Sequence, residues 1–181
     1  SIIIAKHSNP EKVYSVDVNP AAIHCMQENI RLNRVYGKVI PLFGDAKEVI
    51  KKRLYRVADR ILMPLPEKAL EYLPHTLLAL KDAEGWIHYY DFEHAKKNEN
   101  PIEKVKQKVV GKLENLDIDF EIPTGRVVRT TGPNWHQIAL DIHIKRLTNF
   151  NKHFLNIGME KWDQNEKKID ESLGYYKRAI E

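Results

Sequence analysis

The chain has 181 residues, with 29 Lys and Arg against 25 Asp and Glu, for a formal net charge of +4. Its 43% apolar and 9% aromatic residues are typical of a globular protein and exclude the fibrous and disordered classes. No apolar run approaches the roughly 18 residues of a membrane helix, and no secretory signal opens the chain. The single cysteine, Cys25, excludes an internal disulfide and fits a reducing compartment. We therefore expect a cytoplasmic protein that does not contact a membrane.

The first half of the sequence alternates strand and helix patterns. A short helix ends near His7, and β-rich runs predict strands at residues 12–17, 38–43 and 58–63. Asn19-Pro20 opens a helix that runs to about Asn33, and further helices are predicted at residues 46–55 and 67–80.

The second half continues with a strand at residues 85–92 and a long helix marked by apolar residues from Ile102 to Leu116. Two further strands, at residues 117–129 and 134–145, are joined at Thr131-Gly132-Pro133 and predict an antiparallel hairpin. Near Leu147 we expect a boundary between a domain at residues 1–147 and a helical tail at 148–181. The tail is electrically neutral and its apolar residues fall near heptad spacing, which favours packing on the body or on a protein partner.

Strands that alternate with helices predict an α/β fold with a doubly wound, mainly parallel sheet, closed here by an antiparallel hairpin. Ligands of such sheets bind at the carboxyl ends of the strands. Three features lie there: Asp17, Asp45 and the turn from Met63 to Glu67.

Asp17 ends the first strand, where a carboxylate can accept hydrogen bonds from the two ribose hydroxyls of a nucleoside cofactor. This geometry suits both dinucleotides and S-adenosylmethionine, and an Asp before Asn-Pro is also a common turn residue. Asp45 follows the next strand after one glycine. It either reaches the adenine amino group or only caps the helix that begins at Ala46.

The Met63 to Glu67 turn contains Pro64 and Pro66, which hold the backbone in an extended bend and remove two hydrogen-bond donors. Such a turn is either a rigid wall beside the reactive end of a cofactor or an ordinary loop. Glu67 is expected to begin the following helix, where the helix dipole favours a carboxylate.

Several other residues carry no predicted chemistry. His88 and His136 have no second ligand at metal spacing, so we expect packed or surface histidines and no metal site. Trp86, Tyr89 and Tyr90 are expected in the core or at a sheet edge. The sequence lacks the glycine-rich, phosphate-loop, zinc-peptidase and serine-hydrolase motifs GxGxxG, GxxxxGK, HExxH and GxSxG.

Two clusters of basic residues stand out. One runs from Lys51 to Arg60, and the other has six Lys against two Glu between Lys96 and Lys112. They are either solvated helix faces or contacts for an acidic partner such as RNA.

Five strings occur in order along the chain, and together they resemble the archaeal and eukaryotic tRNA guanosine-37 N1-methyltransferases and their wybutosine-pathway relatives. The strings are VYSVDVNPAAIHCMQENIRLNRV, GDA, ADRILMPLPEKALEYLPHTLLAL, GWIHYYDF and GPNWHQIALDIHI. The resemblance implies a class I methyltransferase fold that binds S-adenosylmethionine and tRNA. It also implies a cofactor site of Asp17, Val18, Asp45, Ala46 and Pro64, and a substrate wall of Pro64, Leu65 and Pro66.

The sequence departs from the pattern of this family in two ways. Pro64 stands where the family usually has Asn, which resembles a subgroup that also methylates a wyosine intermediate. The first strand, its glycine loop and the general base of the family are expected upstream of Ser1, with the strand placed between those that end at Asp17 and Met63. Two other hypotheses stay open at this point. They are a non-catalytic binding module with the same fold and, less favoured, a nicotinamide-dependent dehydrogenase.

Overall fold

The computed structural model describes residues 1–147, which fold as two compact units. Unit 1 comprises Ser1–Val57 and Tyr72–Ala79, and unit 2 comprises Ala58–Glu71 and the described residues from Leu80 onward. The predicted helical tail lies outside the described residues, so the boundary near Leu147 stays a prediction. None of the helices within residues 1–147 has the length and apolar character needed to cross a bilayer.

The elements follow the predicted alternation. The helices are α1 (Ile2–His7), α2 (Pro20–Asn33), α3 (Ala46–Arg53), α4 (Pro66–Leu77) and α5 (Pro101–Glu114). The strands are β1 (Val13–Asp17), β2 (Val39–Phe43), β3 (Arg60–Met63), β4 (Gly85–His94), β5 (Ile118–Gly132) and β6 (Trp135–Leu147), and a 3-10 turn at Lys81–Ala83 precedes β4.

The observed bounds differ from the predicted ones by a few residues. Helix α3 stops at Arg53 because Leu54 leaves the helical region, with φ −121°. The hairpin turn falls on Pro133-Asn134, one residue later than predicted, because Asn134 adopts the left-handed conformation at φ 60°. Asn adopts the left-handed region more readily than most residues, so the turn includes Asn134 and is not centred on Gly132 as the sequence had suggested.

Unit 1 is built on the parallel pair β1–β2, in which Asp17 lies opposite Phe43. One face of the pair packs against α1 and α2 through Ala5, Ile30 and Val39. The other face packs against α3 through Leu42 and Val49. Because successive strand residues point to opposite faces, β2 contributes to both clusters.

Unit 2 is a four-stranded sheet in the order β3-β4-β6-β5. Strands β3 and β4 are parallel, and β6 lies between β4 and β5, antiparallel to both. Helix α5 packs on one face of this sheet and buries Val105, Val109 and Leu113, together with side chains of β4 and β6 such as Ile87 and Leu140. The predicted antiparallel hairpin is confirmed.

Each sheet also has a strand with an open edge. Within residues 1–147, β1 pairs only with β2, and β3 pairs as a strand only with β4. The expectation of a further strand beside them concerns residues before Ser1 and stays a prediction.

Two glycines of unit 2 provide a matched test of the packing. A Cβ on Gly85, which has φ 147°, would lie 2.6 Å from the Asp59 carbonyl oxygen, whereas a Cβ on Gly111 in α5 would meet nothing within 4 Å. We predict that Gly85→Ala lowers the free energy of unfolding by at least about 1–2 kcal/mol. Gly111→Ala should raise it by about 0.5–1 kcal/mol, since alanine is the better helix former.

Urea unfolding followed by circular dichroism measures both changes. Equal effects of the two substitutions would contradict the close approach of backbone at Gly85.

Candidate functional site

Asp17 closes β1 and organises the start of α2. Its Oδ1 accepts a hydrogen bond from the Asn19 backbone N–H at 2.8 Å, and the Asn19 side chain in turn accepts one from the Ala21 N–H at 2.9 Å. The carboxylate of Asp17 is half-buried and is fixed by the turn that it closes. Both predicted roles, turn residue and hydroxyl acceptor, are compatible with this geometry because a carboxylate accepts several hydrogen bonds.

Asp45 is brought beside Asp17 by the pairing of β1 with β2. The Gly44 N–H donates to the Asp17 carbonyl oxygen at 3.0 Å, which carries the parallel pairing one residue past β2. Gly44 has φ 141°, a conformation that needs glycine. The Oδ1 of Asp45 then caps α3 by accepting from the Lys47 N–H at 2.8 Å. The predicted helix cap is confirmed, and the carboxylate is fixed in place by it.

Tyr72 holds the second oxygen of this carboxylate. Its hydroxyl donates to Asp45 Oδ2 at 2.7 Å, and the Lys47 ammonium lies 4.4 Å from the centre of its ring. The Tyr72 hydrogen bond is the largest cause that lowers the pKa of Asp45, with smaller contributions from the N–H groups of α3 and from Lys47. Asp45 is therefore an oriented, ionised acceptor.

Exposed apolar side chains flank the two acids. Val18, next to Asp17, is 60% exposed, and Phe43, two residues before Asp45, is 57% exposed. Large apolar groups left in water beside fixed carboxylates suit a ligand with both a flat apolar ring and hydrogen-bond donors. Neither Phe43 nor Tyr72 is among the site residues predicted from the sequence. The position of Phe43, an aromatic residue directly before Gly44-Asp45, could have identified it from the sequence. Tyr72 could not have been identified in this way, because it lies 27 residues from its partner Asp45.

The proline turn lies in unit 2. Pro66 is the first residue of α4 and is buried, while Pro64 and Leu65 are exposed. The Leu65 carbonyl accepts from the Lys68 N–H at 3.3 Å, which closes the turn onto the helix. Glu67 lies in the first turn of α4, so its predicted structural position is confirmed.

His88, Trp86 and Tyr89 have hydrogen-bonding or packing partners within unit 2, as predicted. His88 Nδ1 lies 2.6 Å from Asp141 Oδ1, and its Nε2 lies 3.1 Å from the Arg60 guanidinium. Trp86 stacks on His143 at 4.6 Å between ring centroids, and Tyr89 is fully buried. Within the described residues, no three His, Cys, Asp or Glu side chains converge in a way that could hold a metal ion.

Several lysines of the two basic clusters are engaged with carboxylates. Lys104 lies 3.4 Å from the buried Glu93 and 3.3 Å from Glu99. Lys108 also pairs with Glu93, and Lys52 lies 3.1 Å from Glu48. Because these lysines are paired with carboxylates of the chain itself, they are weaker candidates for binding an acidic partner than the sequence suggested.

The sequence profile described as the TRM5/TYW2 methyltransferase domain matches residues 1–117. The chain belongs to this family. It is 35% identical over 144 residues to the tRNA (guanine(37)-N(1))-methyltransferase Trm5b of Pyrococcus abyssi, a match that covers 80% of this chain and 40% of the relative. It is 36% identical over 149 residues to the tRNA(Phe) (4-demethylwyosine(37)-C(7)) aminocarboxypropyltransferase of Methanocaldococcus jannaschii, covering 81% of this chain and 56% of the relative.

A solved structure supports the fold. The crystal structure of M. jannaschii TYW2 in complex with AdoMet superposes with a TM-score of 0.64 at 32% identity, covering 81% of this chain and 63% of that one. The class I methyltransferase fold implied by the resemblance is therefore confirmed. The chain spans 40% of the Pyrococcus relative and about half of the Methanocaldococcus relative.

The hydrogen bond from Tyr72 gives a pH-dependent prediction. Because the pKa of Asp45 is lowered in the folded state, this carboxyl adds stability above its unfolded pKa of about 3.9, and the gain is lost as the pH falls through the folded pKa. Tyr72→Phe should cost about 0.5–1.5 kcal/mol at pH 7 and clearly less at pH 3. Urea unfolding at both pH values measures this difference.

The matched control is Tyr36→Phe, which removes the hydroxyl of an exposed tyrosine in the same unit and should cost little at either pH. A loss for Tyr72→Phe that is the same at pH 7 and pH 3 would show that the hydroxyl does not stabilise the ionised form of Asp45.

Proposed function

We propose that the protein carrying this chain transfers a methyl group from S-adenosylmethionine to N1 of guanosine 37 in tRNA. The observation that carries the proposal is the pair of fixed carboxylates at the carboxyl ends of the adjacent strands β1 and β2, in a chain of the TRM5/TYW2 methyltransferase family. A strand-end carboxylate is a known ribose-binding device in doubly wound folds.

The residues of unit 1 fit the nucleoside half of the cofactor. Asp17 would accept the ribose hydroxyls and Asp45 the adenine amino group, with Val18 and Ala46 beside them. The exposed ring of Phe43 would cover the adenine base. S-adenosylmethionine, when bound, supplies a methyl group on a sulfonium. The chain's own contribution here is orientation, since both acceptors are held by backbone N–H groups before any ligand arrives.

The proline turn would serve the other end of the cofactor and the target base. Pro64 and Pro66 have no N–H and little conformational freedom, so with Leu65 they would form a rigid apolar wall that keeps a flat base in place. Guanine N1 must lose a proton before it acts as a nucleophile, which requires a base. We do not assign that role to Glu67, because it lies in the first turn of α4.

A second candidate function is group transfer to a wyosine intermediate at the same tRNA position. Two observations favour it: the Methanocaldococcus relative, named as an aminocarboxypropyltransferase, is as similar to this chain as the methyltransferase is, and Pro64 replaces the usual Asn. Both relatives are named as transferases, so the comparisons give no support to a non-catalytic module. We place the reaction in the cytoplasm, in keeping with the single cysteine.

The two candidate functions differ in the mass added to the nucleoside. The protein is incubated with S-adenosylmethionine and a tRNA transcript that has guanosine at position 37, and the digested nucleosides are separated and weighed by mass spectrometry. We predict N1-methylguanosine from this transcript and none from a control with adenosine at position 37.

A gain equal to an aminocarboxypropyl group, or a product found only with tRNA that already carries the wyosine precursor, would favour the second candidate. The absence of any product, with cofactor binding intact, would contradict both.

A further inference from the structure

The central strands of unit 2 extend well past the proline turn. The pairing of β3 with β4 ends at Met63 and Tyr89, after which β4 continues for five residues, to His94, paired only with β6. At about 3.3 Å per residue, this ribbon of β4, β6 and β5 projects roughly 17 Å beyond the end of β3. The projection lies at the carboxyl end of β3, which is the end that leads into Pro64.

The end of the ribbon is basic. Between Ile122 and Leu140 the sequence has no Asp or Glu, whereas it contains Arg126 and Arg129. Lys96 and Lys97 lie two and three residues after the end of β4, and both are exposed. We call His94, Lys96, Lys97, Arg126, Arg129 and Trp135 the hairpin tip.

Two charges of the hairpin tip are not neutralised within residues 1–147. The Arg129 Nε donates to the neutral Gln137 side chain at 2.9 Å, and neither Arg129 nor Lys97 forms an ion pair with a described residue. Arg126 differs, because it lies 3.5 Å from Asp141. Positive charge without a local counter-charge is a feature of surfaces that bind phosphates.

The exposed aromatic ring of Trp135 belongs to the same end of the ribbon. Trp135 is 47% exposed and touches the His94 ring edge-on, with ring centroids 5.4 Å apart. The register pairs His94 with Trp135, and Gln137 with Arg129. Since alternate residues of β6 share a face, Trp135 and Arg129 lie on the same side of the ribbon, opposite the side on which Leu140 is buried.

The outer strand of the ribbon is poorly suited to pairing with a strand of another protein. Strand β5 is the edge of the sheet, and its register is broken between Val127 and Arg129 and again between Thr130 and Gly132. Such bulges twist an edge and block strand addition. The combination of free cations with an exposed tryptophan instead matches single-stranded nucleic acid, whose bases stack on aromatic rings while Arg and Lys contact the phosphates.

We propose that the hairpin tip binds unpaired RNA nucleotides that neighbour the modified base, with Trp135 stacking on a base and Arg129 and Lys97 contacting phosphates. The proposal rests on the proposed function, because it takes RNA as the methyl acceptor. It assigns the contact to the hairpin tip and not to the lysines of α5, of which Lys104 and Lys108 are paired with carboxylates.

The test measures binding of fluorescently labelled tRNA, and of an unstructured single-stranded RNA of the anticodon-loop sequence, by anisotropy at several salt concentrations. Trp135→Ala should weaken binding of both about 5- to 100-fold, and Trp135→Phe should retain most of the affinity because it keeps a stacking ring. Arg129→Gln combined with Lys97→Gln should lower the slope of log Kd against log salt by about 1.4 for the single strand.

Two matched controls lie at the other end of unit 2. Trp86→Ala removes the tryptophan that stacks on His143, and Lys112→Gln removes a charge from the last turn of α5. Both should leave the RNA affinity and its salt slope unchanged. Calorimetric titration with S-adenosylmethionine should give the same affinity for all of these variants.

RNA affinity that is unchanged in both the Trp135→Ala protein and the double variant would overturn the proposal while leaving the proposed function standing. Equal losses in the Trp135→Ala and Trp86→Ala proteins would also overturn it, because the effect would then be one of general stability. A wild-type protein that binds the cofactor but no RNA would remove the proposed function itself, and this proposal with it.

Discussion

The parallel pairing of β1 with β2 is the constraint on which the candidate site depends. It places Asp17 opposite Phe43, and the Gly44 N–H extends the pairing by one residue, so that Asp45 emerges beside Asp17. Each carboxylate is then fixed by a backbone N–H of the turn or helix that follows it. Two acceptors that are held in this way can orient a nucleoside without rearranging, which is how a scaffold lowers the cost of binding.

Unit 2 carries the rigid proline turn and a projecting ribbon. The ribbon is possible because β6 lies between β4 and β5 and because α5 buries the apolar side of the sheet. Glu93 is a buried carboxylate on that side of the sheet, and it is paired with Lys104 and Lys108. Because these two lysines are paired with Glu93, their charges are less available to bind a partner.

Much of this arrangement can be predicted from the sequence, for physical reasons. Asp17 and Asp45 are identified because strand and helix patterns are local, and the end of a strand is where such folds bind ligands. Tyr72 could not be identified, because its hydrogen bond to Asp45 joins residues 27 positions apart. The exposure of Phe43 and the ion pairs of Glu93 likewise depend on tertiary packing, which periodicity does not reveal.

The most direct test is calorimetric titration of S-adenosylmethionine into the wild-type protein that carries this chain and into its Asp17→Ala variant, with Glu11→Ala as an exposed acidic control in the same unit. We predict a measurable affinity for the wild type that is unchanged in the control. We predict a loss of about 1–3 kcal/mol of binding free energy in Asp17→Ala, since charge-assisted hydrogen bonds to the ribose disappear. Equal affinity in all three proteins would show that the carboxylate at the end of β1 does not bind the cofactor.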